Sequence, residues 1–167
     1  MNTVRAVQRT MAALALVLCW SCPADAAVDC SVTATGVAFG VYDPFAALPD
    51  DSIGTISVTC RHVPPTRAER INYTVTLSAG GSGAYSQRGM AADTSRLGYN
   101  LYADGARSQV WADGSSSSVT ITGSMLVGPG VGNGTRTATH TIYGRIPARQ
   151  DVAPGGYTDS IVVTLVY

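Results

Sequence analysis

The chain contains no lysine: all 11 of its basic residues are arginine, and 11 acidic residues balance them to a formal net charge of zero. Without lysine, a Schiff-base nucleophile and the lysine of a phosphate-binding P-loop are both impossible. Without an excess of basic charge, a nucleic-acid-binding role is disfavoured. Only 13% of the 167 residues are charged while 46% are hydrophobic, a balance that argues against a disordered tail.

Catalytic and metal-binding motifs are also missing. There is no G-x-S-x-G elbow and no H-E-x-x-H pair, and neither His62 nor His140 has a nucleophile or an orienting carboxylate in a recognisable pattern. Asp43, Asp50 and Asp51 could offer oxygen ligands to Ca²⁺, but their spacing matches no known loop motif, and solvated loop carboxylates are the better interpretation. We therefore predict that the protein is not an enzyme and uses no metal or cofactor.

The N-terminal residues have the three parts of a secretory signal peptide. Arg5 and Arg9 give a positive start, residues 11–20 form an apolar run, and a small-x-small cleavage site ends at Ala26. A run of this length is too short to span a bilayer, which needs about 20 apolar residues. We predict that residues 1–26 are removed on export and that the rest of the chain has no membrane span.

Cleavage changes the cysteine count. It removes Cys19 and Cys22 and leaves the pair Cys30 and Cys60. An even pair in an exported chain predicts a disulfide, formed in an oxidising compartment such as a bacterial periplasm. The alternative, a metal-binding pair, lacks a cluster of ligands, because His62 is the only neighbouring candidate.

The predicted mature domain, residues 27–167, shows short alternating runs of β-branched and aromatic residues and no long helical periodicity. The predicted strands are 31–40, 54–60, 71–78, 97–103, 117–127, 135–147 and 157–167. Proline and aspartate in 41–53 and glycine in 128–134 predict loops. About seven short strands with one disulfide predict an all-β fold, an Ig-like antiparallel β-sandwich.

Three sequence blocks resemble a known family. Cys30 is followed at a fixed distance by Phe39 and Gly40, residues 99–114 read YNLYADGARSQVWADG, and residues 144–167 read GRIPARQDVAPGGYTDSIVVTLVY. Together they resemble the spore coat protein U domain family, which is also the pilin family of archaic chaperone–usher pili. The family's C-terminal pattern falls on Gly156, Tyr157, Asp159, Ile161, Val163, Leu165 and Tyr167.

The resemblance implies an incomplete sandwich that lacks its last strand. The missing strand leaves a hydrophobic groove, filled first by a periplasmic chaperone and later, at the outer-membrane usher, by the N-terminal extension of another pilin subunit. The chain itself stops at the end of a strongly apolar strand, an edge that would aggregate unless a partner covered it. The alternative is that these residues are ordinary core residues of a complete sandwich. The predicted groove and C-terminal edge residues are Tyr157, Ile161, Val163, Leu165 and Tyr167.

One feature departs from a polymerising pilin. Only Ala27, Val28 and Asp29 stand between the predicted cleavage site and Cys30. A donor strand rises about 3.3 Å per residue and needs about ten residues to span a groove. We therefore expect a chain that accepts a strand without supplying one, either a terminal subunit or a secreted coat-like protein.

Three functions remain open at this point. The first is an exported structural subunit of a cell-surface pilus or coat. The second is a tip adhesin that binds surfaces through apolar loops, with Phe45 and Leu48 and the segment 125–134 as candidates; the alternative is that these loops fold back onto the sandwich. The third is a secreted spore-coat or matrix protein. A secreted hydrolase is disfavoured, because no nucleophile–base motif is present.

Overall fold

The computed structural model describes residues 27–63, 67–130 and 132–167. The predicted signal peptide and the Pro64-Pro65 break lie outside the described residues. The strands of the described residues are β1 (Ala27–Thr35), β2 (Asp50–Val63), β3 (Glu69–Leu77), β4 (Arg88–Ala92), β5 (Ser95–Tyr102), β6 (Ile121–Val127), β7 (Thr135–Ile146) and β8 (Val163–Val166).

These strands form two antiparallel sheets, which confirms the predicted all-β sandwich. The first sheet has the order β1-β2-β7-β5-β4 and the second has the order β6-β3-β8. The helical structure in the described ranges consists of two short 3₁₀ turns, Gly80–Ser82 and Gly132–Gly134. In those same ranges no helix is long and apolar enough to cross a membrane.

The core follows from the two-residue alternation of the strands. From Ile56 on β2 and from Ile71 on β3, every second side chain is buried, because successive side chains of a strand point to opposite faces of its sheet. Trp111 lies fully buried between the sheets, and its indole Nε1 donates a hydrogen bond to the carbonyl of Val75 at 3.0 Å. The core includes Ile56, Val58, Ile71, Val75, Leu77, Leu101, Trp111, Val127, Ile142 and Ile146.

The predicted disulfide is confirmed. Cys30 on β1 and Cys60 on β2 face each other directly in the antiparallel ladder and are bonded. The bond ties the edge strand β1 to its neighbour and closes a loop of the chain.

Loss of this disulfide should destabilise the domain measurably. The closed loop limits the unfolded chain, so replacing both residues (Cys30→Ala with Cys60→Ala) should lower the free energy of unfolding by roughly 3–4 kcal/mol. Urea unfolding of the double variant and of the wild type measures this loss. Reduced and alkylated wild type should behave like the variant, and equal unfolding midpoints in all three samples would contradict the prediction.

Strand β2 begins earlier than predicted. We expected 41–53 to form one loop, but residues 50–53 pair with β7. Arg145 on β7 explains the difference, because its Nε and Nη2 donate to the two carboxylate oxygens of Asp51 at 2.7 and 2.8 Å. A cross-strand ion pair of this kind lets a carboxylate lie inside a ladder.

Two other strands differ from the sequence prediction. Strand β4 was not predicted, because its sequence RGMAA contains a charge, a glycine and two alanines and shows no alternation. The predicted strand 117–127 begins only at Ile121, because Ser117 has a positive φ of 63° and lies in a turn.

The predicted strands at the two ends of the domain also have different bounds in the structure. The first was predicted at 31–40, but the β1 ladder begins at Ala27 and ends at Thr35. The last was predicted at 157–167, but only Val163–Val166 forms the β8 ladder. Residues 36–39, after β1, and residues 157–162, before β8, instead cross the space between the two sheets. These two crossings form the candidate site.

Candidate functional site

The first crossing runs directly after β1. Residues 36–39 pass over the inner face of the first sheet, above Gly54 of β2 and Gly144 of β7. A Cβ at Gly54 would lie 2.6 Å from the carbonyl oxygen of Thr35, and one at Gly144 would lie 2.6 Å from the Val37 side chain. Glycine is needed at both positions because another segment of the chain approaches so closely. The ring of Phe39 then packs edge-to-face on Tyr99 of β5, and the centroids are 6.0 Å apart.

The second crossing is made by residues 157–162. Thr158 pairs with Ala91 of β4 through two backbone hydrogen bonds of 2.8 and 3.1 Å, so it belongs to the edge of the first sheet. Four residues later the carbonyl of Val162 accepts a bond from the Ser78 amide at 2.9 Å, directly after β3 of the second sheet. The segment therefore passes from one sheet to the other.

A buried arginine marks the point at which the β3–β8 ladder ends. The Nε and Nη2 of Arg88 donate to the carbonyl of Ser78 at 3.0 and 2.9 Å. The Val162 amide bonds instead to the hydroxyl Oγ of Ser78 at 2.9 Å. Because the Ser78 carbonyl is occupied by the guanidinium, regular pairing stops here and the chain turns toward β4.

Arg88 is fully buried and is held mainly by neutral oxygens. Its Nη1 donates to the amide oxygen of Asn100 at 2.7 Å, and its Nη2 donates to the carbonyl of Trp111 at 2.9 Å. The Asn100 amide nitrogen in turn donates to the carbonyls of Tyr85 and Ser86. Burial lowers the pKa of the guanidinium, and Tyr99 and Tyr85 oppose that shift. Sequence reasoning missed this network.

Asp159 fastens the second crossing to the first sheet. One carboxylate oxygen accepts from the Tyr99 hydroxyl at 2.8 Å, and the other accepts from the backbone amides of Gly81 and Ser160, both at 2.8 Å. Burial raises the pKa of Tyr99, and the hydrogen bond to Asp159 raises it further, so the phenol stays protonated and donates. Gly80, at a φ of 69°, lies against the same carboxylate and leaves no room for a side chain.

The two crossings enclose an apolar groove between the sheets. We use "the groove" for the space between residues 34–39 and residues 157–163. Its volume is about 300 Å³, and a second cavity of about 640 Å³ continues it past residues 37–44 and 152–157. Val37, Phe39, Met90 and Tyr157 line both cavities. The floor of the groove consists of the core side chains Leu77, Tyr99, Leu101 and Ile142.

The predicted groove residues divide into two sets. Tyr157, Ile161 and Val163 line the groove. Leu165 packs against the core farther along β8, and the side chain of Tyr167 is 56% exposed and does not line the groove. The structure thus brings three of the five residues to one site.

Strand β8 presents an open edge beside the groove. The backbone N–H and C=O groups of Val162 point toward Ser78. Because these groups alternate in direction from one residue to the next along a strand, the N–H and C=O groups of Val163 and Leu165 point away from β3. Among the described residues no strand pairs with that side of β8. The same two residues turn their side chains inward, as the alternating exposure of the strand shows.

The three described residues ahead of Cys30 are already paired. Ala27, Val28 and Asp29 lie opposite residues 61–63 in the β1–β2 ladder. The carboxylate of Asp29 also forms an ion pair with Arg61 at 2.9 Å. These three residues therefore form part of the domain's own first sheet.

The loop between β1 and β2 exposes apolar side chains. Val41, Phe45 and Leu48 are 97%, 90% and 77% exposed. Asp43 fixes the turn, because its carboxylate accepts a bond from the Phe45 amide at 2.9 Å. This exposure contradicts the alternative in which this part of the loop folds back onto the sandwich.

The second candidate segment, 125–134, folds onto the sandwich in its first part, as the alternative interpretation has it. Met125 and Val127 are buried on β6 and belong to the core. Leu126, which points the other way, is 41% exposed. An alternating strand explains the apolar character of its first three residues.

The three loop aspartates do not converge on a metal site. Asp43 caps its turn, while Arg145 lowers the pKa of Asp51 through their hydrogen bond. Burial raises the pKa of Asp50, and the neighbouring Asp51 charge raises it further. In the described part of the chain no group of three or more His, Cys, Asp or Glu residues is placed to hold a metal ion.

His140 links the two sheets. Its Nε2 lies 2.9 Å from the hydroxyl of Tyr73, so β7 and β3 are joined across the core. Burial lowers the pKa of the imidazole below its ordinary value. His62, the other histidine, is buried on β2, with its Nε2 3.3 Å from a carboxylate oxygen of Glu69.

His140 should make the stability of the domain depend on pH. In the unfolded chain the histidine binds a proton below a pH of about 6.5, whereas burial lowers the pKa of the folded imidazole. The contribution of His140 to the free energy of unfolding is therefore complete above that pH and is lost as the pH falls through the lowered folded pKa. We expect the urea midpoint to fall between about pH 7 and pH 5, and to fall less in His140→Gln. Tyr73→Phe, which keeps the imidazole, should retain the dependence. Equal slopes for His140→Gln and wild type would contradict the assignment.

Comparison with known proteins agrees with this architecture. A family model for the Spore Coat Protein U domain matches residues 17–164. Protein U of Myxococcus xanthus is 32% identical over 136 residues, covering 77% of this chain and 70% of that protein. A solved structure of the chaperone–tip adhesion subunit pre-assembly complex from archaic chaperone–usher Csu pili of Acinetobacter baumannii is similar in fold, with a TM-score of 0.51 at 19% identity. The match covers 84% of this chain and 40% of that one. The sequence blocks, the sandwich and the family match agree, and the chain belongs to the spore coat protein U domain family.

Proposed function

We propose that this protein is an exported structural subunit of a cell-surface pilus or coat, completed by a β-strand from another chain. The observation that carries the proposal is the groove, which has an apolar floor and lies beside the unpaired edge of β8. An incoming strand would gain main-chain hydrogen bonds from Val163 and Leu165 and would bury its alternate side chains in the groove. Left uncovered, such an edge promotes aggregation.

The proposed partners are a periplasmic chaperone, an outer-membrane usher and other pilin subunits. Membership of the family supports this route, and the solved relative is described as a chaperone–subunit complex. The disulfide is consistent with passage through an oxidising periplasm. Secretion to the surface would begin at the predicted signal peptide of residues 1–26.

We place the chain at an accepting position in the assembly. After the predicted cleavage at Ala26, Ala27, Val28 and Asp29 are the residues ahead of Cys30, and because they pair with β2 they are not free to enter a neighbour's groove. A terminal subunit of a pilus needs only to accept a strand. A secreted spore-coat or matrix protein that receives a strand without polymerising fits the same observation, and Protein U, by its name alone, does not separate the two.

Oligomeric state tests the proposal. Mature protein purified alone should form aggregates or weak multimers in size-exclusion chromatography. Mixed with an apolar strand peptide of alternating valine and threonine, it should elute as a monomeric complex. A wild-type chain that remains a stable monomer without any strand, at high concentration and over days, would overturn the proposal.

Adhesion through the β1–β2 loop is a second candidate function, and it rests on the exposure of Val41, Phe45 and Leu48. Apolar side chains held this far from the core are typical of an interaction site. The double variant Phe45→Ser with Leu48→Ser should bind a hydrophobic polystyrene surface at least about tenfold more weakly than wild type, since each lost apolar contact is worth more than about 1 kcal/mol.

The control for this prediction is Ile53→Ser. Ile53 is also exposed, but it lies on β2 and outside the loop. Its removal should leave surface binding unchanged. If Ile53→Ser weakens adsorption as much as the loop variant does, adsorption follows general surface hydrophobicity and the loop has no adhesive role.

A further inference from the structure

One carboxylate lies in the wall of an otherwise uncharged groove. Among the described residues that line the two cavities, Asp159 is the only charged one. An apolar strand covering a bare carboxylate would pay a large desolvation cost. The groove can favour an apolar strand only if both carboxylate oxygens of Asp159 already accept hydrogen bonds within the fold.

The structure meets that condition. Three donors hold the carboxylate at 2.8 Å, and the Tyr99 hydroxyl is the only one of them on the oxygen Oδ2. Arg88, which is buried and lies opposite Tyr99 in the β4–β5 ladder, interacts electrostatically with the same carboxylate. Both carboxylate oxygens in the wall therefore have hydrogen-bond donors within the fold.

We propose that the Tyr99–Asp159 hydrogen bond is a specificity determinant of the groove, selecting an incoming strand with a neutral apolar side chain beside it and disfavouring a basic one. The inference rests on the proposed strand acceptance and adds to it the chemical class of the strand. Removal of the Tyr99 hydroxyl leaves Oδ2 without a donor. An arginine or lysine of the strand would then pair with that oxygen, while an apolar residue would bury it unpaired.

A set of strand peptides tests this specificity. The parent peptide has about nine residues, the length of an ordinary strand, with valine and threonine alternating. Four derivatives each carry arginine in place of one valine. Dissociation constants are measured by fluorescence anisotropy for the disulfide-bonded mature protein. In wild type the parent should bind tightest, and each arginine should weaken binding by about tenfold or more.

The variants should move in opposite directions at one peptide position. In Tyr99→Phe, which keeps the ring against Phe39, the arginine penalty at the position facing Asp159 should shrink by about tenfold. In Asp159→Asn, which removes the charge and turns one of the two acceptor oxygens into an amide nitrogen, the same penalty should grow. If Tyr99→Phe does not fold, the Asp159→Asn result decides the question.

Tyr157→Phe is the matched control. Tyr157 lines the same groove, but its hydroxyl lies 2.6 Å from Ser95 and 2.7 Å from the carbonyl of Ala153, away from Asp159. In Tyr157→Phe, each arginine in the peptide should weaken binding by the same factor as in wild type. If wild type binds the parent peptide, but the arginine penalties of Tyr99→Phe and Asp159→Asn match those of wild type at every position, the specificity role is overturned and strand acceptance is not. A wild type that binds none of the peptides overturns strand acceptance itself.

Discussion

Appending a strand to the C terminus should raise the free energy of unfolding by on the order of 5 kcal/mol, because about four apolar side chains become buried and the linker removes most of the cost of association. The geometry favours this fusion. β8 runs from Val163, opposite Leu77, to Val166, opposite Thr74. A strand that follows Tyr167 through a tight turn would run back along the open edge of β8, antiparallel to it, and enter the groove. Urea unfolding of the fused and unfused mature chains measures the gain.

The matched control carries the same turn and the same strand length, with aspartate at the inward-facing positions. It should gain no stability, because charged side chains cannot be buried unpaired in the groove. If the aspartate strand stabilises the domain as much as the valine strand does, the gain comes from the tether and not from the groove. If neither strand stabilises the domain, the groove does not accept a strand.

Replacement of the buried arginine should be the most damaging single substitution. Arg88→Met preserves much of the side-chain volume but removes four hydrogen bonds, which leaves the carbonyls of Ser78 and Trp111 and the side-chain oxygen of Asn100 without this donor inside the core. Breaking a buried polar network of this kind costs about 3–5 kcal/mol. The urea midpoint of the fused, strand-completed domain is the suitable measurement, since that form should survive the loss.

Arg96→Met provides the comparison. Arg96 lies on the adjacent strand β5 with its side chain exposed, so its replacement should change the free energy of unfolding by less than about 0.5 kcal/mol. Similar losses for the two variants would show that Arg88 contributes no more than a surface arginine does, contrary to its burial and its hydrogen bonds.

Local patterns predicted the parts of the fold that local chemistry determines. The alternation of Ile71, Tyr73, Val75 and Leu77 predicts β3 to within two residues at each end. The two cysteines that remain after the predicted cleavage predict the disulfide, because one pair has one pairing available. The sheet switch between Thr158 and Val162 could not be predicted in this way, because it depends on Arg88 reaching the Ser78 carbonyl from a different strand.

The groove was only half predictable. The C-terminal wall was expected from the family resemblance and from the apolar residues Ile161 and Val163. The opposite wall, residues 36–39, was predicted to be a strand. A signal for its true course was present, since Gly54 and Gly144 interrupt otherwise alternating strands and such glycines mark close approach of another segment. The satisfaction of Asp159 by Tyr99 depends on tertiary structure and has no local signature.

Hydrogen exchange at the edge of β8 tests strand acceptance most directly. Backbone amide exchange is followed by NMR for dilute, monomeric mature protein with and without the valine–threonine peptide. The structure predicts that the amides of Val163 and Leu165 exchange rapidly in the free protein and become strongly protected when the strand binds. The amide of Val162, already bonded to Ser78, should change little. A bound peptide that leaves the exchange of Val163 and Leu165 unchanged would show that the strand is not added to this edge.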